Sequence, residues 1–190
     1  MQELILGSSS KYRKDILKRI ILDFKTIKPK VDETIILNES PKKMALRLAL
    51  EKALKVAEKF PKAIVIGCDQ TATTQKKILQ KPENFDNALK QLQFLKGKKV
   101  KFYSAFCVLN LLKKKIYLEC DEFSATYRNF NDSEINKYLK KEKPYNCVGS
   151  IKSEALGITM LAEIKSNDPT SIIGLPLIKL SKILRNEGLL

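Results

Sequence analysis

Three serines stand together near the start of the chain. The segment Gly7-Ser8-Ser9-Ser10 follows the apolar run Leu4-Ile5-Leu6 and precedes the basic residues Lys11 and Arg13. Backbone N–H groups at the start of a helix have no intrahelical partner and carry partial positive charge, so they attract phosphate. Hydroxyl donors and a guanidinium at the same turn strengthen that preference. Taken alone, these residues are read more simply as a plain helix cap, with Ser10 as N-cap.

Other side chains could act beside such a phosphate site. Asp69 follows the apolar run Ala63-Ile64-Val65-Ile66-Gly67 and is expected just beyond the carboxyl end of a buried strand, where open α/β sheets bind their ligands. A carboxylate there can bind a divalent cation or orient a water; a turn residue satisfying local backbone is the plainer reading. Lys52 and Lys81, the latter before Pro82, are point charges suited to phosphate oxygens, and Glu33 is a second candidate metal ligand. The segment Gly149-Ser150-Ile151-Lys152-Ser153-Glu154, with Gly157 after it, combines glycines for close backbone approach with a cation, hydroxyls and a carboxylate. An ordinary surface loop is its competing reading.

The elements that must position these groups alternate between strands and helices. The pattern predicts a strand over 3–7, a helix over 11–20 and a second strand at Phe24–Ile27. Ser40-Pro41 starts a long helix, serine as N-cap and proline at the first helical position, with Leu46, Leu50, Ala53, Leu54 and Ala57 at helical spacing. A short strand and turn over 71–80 and a helix from Asn84 to Leu95 follow, the helix closed by Gly97. Lys98–Leu112 and Lys115–Tyr127 read as two antiparallel strands, and Asn131 caps a helix over 132–141. A strand near Ile158–Ile164 precedes a final helix opened by Pro176 and stopped at Gly188. No linker or internal repeat divides the sequence, so one α/β domain over 1–190 is expected.

Composition narrows the chemistry. The 190 residues are 44% apolar and 30% charged and contain no histidine. That excludes Ser-His and Cys-His catalysis and leaves acid–base work to Asp, Glu, Lys or Tyr, with or without a metal. The four cysteines, Cys68, Cys107, Cys120 and Cys147, form no CxxC pair and read as reduced, mostly buried thiols rather than a zinc site. No apolar run is long enough to span a bilayer, and the N-terminus lacks a signal peptide's basic and apolar regions, so a cytoplasmic protein without a membrane partner is expected. The net charge of +15 would suit nucleic acid, but the lysines are dispersed and form no basic block. No specific nucleic-acid partner is expected.

Taken together, these motifs resemble the Maf family of nucleotide pyrophosphatases over nearly the full length. The resemblance is carried by Leu4-Ile5-Leu6-Gly7-Ser8-Ser9-Ser10 with Arg13, Asp32-Glu33-Thr34, Glu51-Lys52-Ala53, Gly67-Cys68-Asp69-Gln70, Lys81-Pro82 and Gly174-Leu175-Pro176-Leu177. Many members carry Ala-Asp-Thr in place of Cys68-Asp69-Gln70 and look like pyrimidine nucleotide (dTTP/UTP) pyrophosphatases. The Asp69-Gln70 pair, with Gly149–Glu154 and Asp168-Pro169, looks like the branch that hydrolyses 7-methyl-GTP. The family usually has Pro at Lys11 and Ala at Gly7, and that branch usually has Ser at Cys68; no charged catalytic group is replaced.

The resemblance implies an α/β fold like that of inosine triphosphate pyrophosphatases, with a mixed sheet and two lobes around a central cleft, and a homodimer. It implies a Mg²⁺- or Mn²⁺-dependent enzyme in which Asp69 is the base or water-positioning group and Glu33 helps hold the metal. Ser8, Ser10, Arg13, Lys52 and Lys81 would bind the triphosphate. Methylation at N7 makes guanine cationic, and an aromatic face with a carboxylate holds a cationic base well. Tyr12 and Glu154 match those requirements, and Gln70 would complete the base contact. A non-catalytic regulator of septum formation, or a nucleic-acid-binding protein, is the reading from another class.

Overall fold

The computed structural model describes residues 2–75 and 77–190. Among the described residues the chain forms seven strands and five α-helices: β1 (Leu4–Gly7), α1 (Lys11–Leu17), β2 (Lys25–Ile27), α2 (Pro41–Ala57), β3 (Ile64–Thr74), β4 (Lys77–Leu79), α3 (Phe85–Leu95), β5 (Lys99–Asn110), β6 (Lys115–Tyr127), α4 (Asp132–Glu142), β7 (Leu161–Lys165) and α5 (Leu177–Asn186). They make one mixed sheet in the order β2-β1-β3-β5-β6-β7, with β4 paired to β3. The chain divides into two compact units, the first comprising Met1–Gln70, Tyr103–Asp121 and Asp168–Leu190, the second Thr71–Phe102 and Glu122–Asn167.

In the first unit β1 runs parallel to both β2 and β3, with Gly7 opposite Ile27 on one side and Gly67 on the other. Parallel strands are normally covered on both faces, and here the alternation of side chains divides cleanly between two cores. Leu4, Leu6, Ile64, Ile66 and Cys68 pack with Ile16 and Leu17 of α1 and Leu177, Leu180, Ile183 and Leu184 of α5. Ile5 and Val65 face the other way, against Ala45, Ala49, Ala53, Val56 and Ala57 of α2.

The buried face of α2 departs from the sequence expectation. Leu54 is exposed, Leu46 and Leu50 are only partly buried, and the sheet is met by alanines four residues apart. Small side chains win because the helix comes very close to β3. A Cβ on Gly67 would lie 2.2 Å from the carbonyl oxygen of Ala49 and 2.5 Å from the amide nitrogen of Ala53. Leucines on that stripe would hold the helix away.

The second unit has its own core. Phe102 and Phe123 stack at 4.8 Å, nearly parallel, and Ala88, Leu92 and Leu95 of α3 and Ile135, Tyr138 and Leu139 of α4 are buried. Asn131 caps α4 through a reciprocal box with Glu134. β7 begins at Leu161, after a 3₁₀ stretch over Leu156–Met160, so the expected strand near Ile158 starts three residues later. Similarly, α1 ends at Leu17 rather than residue 20.

Candidate functional site

Lys52 is the centre of the arrangement. Its Nζ lies 2.6 Å from Asp69 Oδ1 and 2.7 Å from Glu33 Oε1, and its side chain is 7% exposed. The three residues come from three separate stretches: α2, β3 and the segment joining β2 to α2. The close seating of α2 on Gly67 brings Lys52 to Asp69, two residues further along β3. Asp69 is not beyond the strand's end, as the sequence suggested. It lies within β3, which continues to Thr74 because Ala72–Thr74 pair antiparallel with β4. A buried ammonium needs compensating negative charge, and two carboxylates supply it.

Two hard oxygen donors converging where a cation already stands suit a small divalent ion. Mg²⁺ and similar ions are usually held by one or two carboxylates and completed by substrate phosphates and water. Among the described residues no cluster of three or more His, Cys, Asp or Glu could enclose a metal unaided. Glu33 and Asp69 are the two carboxylates at this point that could hold such an ion, with substrate oxygens completing its shell.

The β1–α1 turn is internally organised. Ser8 is buried and its Oγ accepts from the Ser10 amide at 3.2 Å; Ser10 Oγ accepts from the Arg13 amide at 3.4 Å and caps α1. Arg13 Nη1 donates to the Cys68 carbonyl at 2.9 Å and Nε to the Gly174 carbonyl at 3.1 Å. The guanidinium thus secures the backbone beside Asp69. Tyr12 is half-buried on α1.

Gln70 follows Asp69, and its Nε2 donates to Ser104 Oγ at 2.8 Å and to the Ser171 carbonyl at 3.0 Å. Ser104 Oγ donates to the same carbonyl at 2.6 Å, and Ser171 Oγ to Asp121 Oδ2 at 2.5 Å. These partners fix the amide's orientation. Nothing in the sequence marked Ser104, Ser171 or Asp121, because each lies far from Gln70 along the chain.

Asp168 is buried and serves as a remote cap: Oδ2 accepts from the Ile178 amide at 2.7 Å and Oδ1 from the Thr170 amide at 2.8 Å. Thr170 Oγ1 accepts from the Leu177 amide, completing the start of α5 that Pro176 cannot cap with a side chain.

Lys81 and Glu154 belong to the second unit, and both are exposed. The loop bearing Glu154 is tied at several points. Tyr127 donates to the Gly149 carbonyl at 2.8 Å, Tyr138 to that of Ser150 at 3.2 Å, and Ser150 Oγ to Gln91 Oε1 at 2.7 Å. Burial pushes the phenol groups of Tyr127 and Tyr138 well up, so both remain donors. Lys152 is not a spare cation. Its Nζ donates to the Glu142 carbonyl and stands 3.6 Å from Glu142 Oε2, while Glu142 Oε1 accepts from the Leu156 amide at 3.2 Å. Gly157 is required by contact, since a Cβ there would lie 2.4 Å from the Lys152 carbonyl oxygen.

Of the cysteines, Cys68 and Cys107 are buried and Cys120 and Cys147 partly so, all as free thiols. Burial raises the Cys107 thiol to about 12, which leaves it inert. None of the described helices is long and apolar enough to cross a membrane.

A mixed sheet, flanked in the first unit by helices on both faces, with Asp69 of β3 bonded to the buried Lys52 of α2, defines an α/β protein with a polar site at the sheet. The family model for Maf-like proteins matches residues 3–187, and the chain belongs to that family. It is 46% identical over 188 residues, 99% of this chain and 98% of the relative, to a Methylobacillus flagellatus protein named 7-methyl-GTP pyrophosphatase. Proteins of the same name from Colwellia psychrerythraea and Aromatoleum aromaticum are 44% and 46% identical, covering 94% and 97% of those relatives and 100% and 99% of this chain.

Proposed function

We propose that the protein is a nucleoside triphosphate pyrophosphatase that hydrolyses 7-methyl-GTP to 7-methyl-GMP and pyrophosphate, removing a modified nucleotide in the cytoplasm. The Lys52–Asp69–Glu33 cluster carries this reading, together with relatives of that name along the whole chain. A binding-only protein has no need to bury an ammonium between two acids, since desolvating charge is costly.

In this mechanism Asp69 receives the proton of a water as its oxygen attacks the α-phosphorus. The bond from that phosphorus to the bridging oxygen breaks, and pyrophosphate leaves. Lys52 holds one Asp69 oxygen, so the carboxylate meets the water in a fixed orientation. Ser8, Ser10, Arg13 and Lys81 bind the triphosphate, and Lys52 adds positive charge as charge grows on the phosphoryl oxygens. Glu33 and Asp69 would hold Mg²⁺ or Mn²⁺, which when bound offsets phosphate charge and polarises the reacting phosphorus. Tyr12 stacks on the methylated base, Glu154 faces its positive charge, and Gln70 completes the base contact. The working form is a homodimer.

The test is pyrophosphate release from canonical and modified triphosphates, with Mg²⁺ and with Mn²⁺. Preference for 7-methyl-GTP is expected, and Asp69→Asn should cost about 10²–10⁴ in rate without unfolding the protein. Preference for dTTP or UTP would assign it to the pyrimidine enzymes, and near wild-type turnover by the variant would remove Asp69 from the mechanism.

A further inference from the structure

Glu33 lies in a stretch with no helix or strand between Ile27 and Pro41, yet its carboxylate meets Lys52 at hydrogen-bond distance. Something must hold that stretch in place. Locally, Asp32 Oδ1 accepts from the Thr34 amide at 2.9 Å and from its hydroxyl at 2.6 Å, closing a tight turn around Glu33. Besides Lys52, a longer-range restraint comes from a guanidinium. Arg47 Nη2 donates to the Thr34 carbonyl at 3.2 Å, directly after Glu33. Its Nε and Nη2 also grip Glu39 in a bidentate pair at 2.7 and 2.8 Å, and Nη1 reaches Glu51 at 3.3 Å.

We propose that Arg47, braced by Glu39, is a positioning residue that sets Glu33 for metal-assisted hydrolysis. This rests on the reading of Glu33 as a metal-holding carboxylate. Arg47 and Lys52 lie on the same helix, so α2 presents both the grip on the backbone after Glu33 and the ammonium that receives its side chain. All three guanidinium nitrogens are used, in three directions. Lysine keeps the charge but has no planar fork, so it cannot hold Thr34 and Glu39 together. The arrangement is fixed at neutral pH, because the hydrogen bond from Arg47 holds the Glu39 carboxyl below its usual range.

The experiment compares Arg47→Lys, Glu39→Gln, Glu33→Gln and the double variant Arg47→Lys/Glu33→Gln with the wild-type full chain. Mn²⁺ binding is followed by electron paramagnetic resonance with a triphosphate analogue bound whose α–β bridge is a methylene and is not hydrolysed, and kcat and KM are measured separately. Loss of a residue that orients a metal-holding group typically costs 10–100-fold in metal affinity or activity. Arg47→Lys should therefore lower Mn²⁺ affinity and kcat by about 10- to 100-fold, with KM for the nucleotide within about threefold. Glu39→Gln should shift the same quantities in the same direction. In the Glu33→Gln background Arg47→Lys should cost almost nothing more, since it acts through Glu33.

Additive losses in the double variant would overturn the proposal, as would wild-type Mn²⁺ affinity in both Arg47→Lys and Glu39→Gln. If Arg47→Lys does not fold, Glu39→Gln decides on the same criteria. Glu33→Gln with unchanged Mn²⁺ affinity and rate would instead remove Glu33 from the site, and both the metal reading and this proposal with it.

Discussion

Arg13 donates to the backbone carbonyl of Cys68 across 2.9 Å, joining the first helix to the residue immediately before Asp69. The same guanidinium reaches Gly174, which stands at φ 104° in the left-handed region. One side chain thus ties α1, β3 and the turn before α5 to one another.

A lysine at this position offers a single point of charge and cannot serve both carbonyls. Arg13→Lys should lower stability by about 1.5–3 kcal/mol, the range for hydrogen bonds to charged groups. It should also lower kcat by up to about 100-fold as Asp69 shifts. Urea denaturation and steady-state kinetics on the same preparation check both; a variant of unchanged stability would show that Arg13 does not anchor Cys68.

Gly67→Ala should separate Lys52 from Asp69. The added methyl would meet the backbone of α2 at Ala49 and Ala53, which cannot yield as a flexible side chain would. Overpacking of this kind costs about 1–3 kcal/mol. The expected result is a lower melting temperature together with a fall in turnover larger than the loss of folded protein explains.

Base selection is expected to rest on Glu154. Glu154→Gln keeps the shape but removes the charge opposite a cationic base. A lost charge-assisted hydrogen bond costs roughly 1.5–3 kcal/mol, so kcat/KM for 7-methyl-GTP should fall about 10- to 150-fold. Hydrolysis of an unmethylated pyrimidine triphosphate should barely change. Equal slowing of both substrates would mean that Glu154 is structural or acts on phosphate.

Stability in acid should depend on Glu187. Its side chain is fully buried and accepts from Asn110 Nδ2 at 2.7 Å and from the Tyr117 hydroxyl at 3.0 Å, with Lys113 Nζ 3.1 Å away. Burial alone would raise this carboxyl, but the hydrogen bonds from Asn110, Lys113 and Tyr117 outweigh it and hold it at about 2. An unfolded glutamate titrates near ~4.3. The folded state therefore binds fewer protons between those values, and the stabilisation present at neutral pH is lost as pH falls through that window. Glu187→Gln should be less stable by about 1–3 kcal/mol at pH 7. The gap to the wild type should close as the pH approaches 2, measured as the urea midpoint across that range.

Much of the fold was legible because local signals were strong. Ser40-Pro41, Asn84 and Asn131 marked helix starts that the structure keeps, and the apolar runs at Leu4 and Ile64 became central strands. Of the apolar residues expected at helical spacing on α2, Ala53 and Ala57 are buried but Leu46, Leu50 and Leu54 are not, for a physical reason. Leucines at helical spacing look like a core stripe, but the surface that decides is the sheet, and Gly67 admits only alanines there. The extent of β3 was also hidden, because pairing with β4 carries the strand past Asp69 and no local residue announces a partner.

The sequence by itself determined the residue types available for catalysis: no histidine, the acids Glu33 and Asp69, the lysines Lys52 and Lys81, and the family to which their order belongs. Only the tertiary structure decided how they are used. It gave Lys52 to Asp69 and Glu33 as a buried counterion, tied Arg13 Nε and Nη1 to backbone carbonyls beside the site, bound Lys152 to Glu142, and made Asp168 a cap for α5. The reason is that a charge loses its hydration when a helix or loop packs over it, so it must find a partner wherever the fold brings one. Those partners lie up to 161 residues away in sequence, as Gly174 does from Arg13, and spacing along the chain carries no record of such pairings.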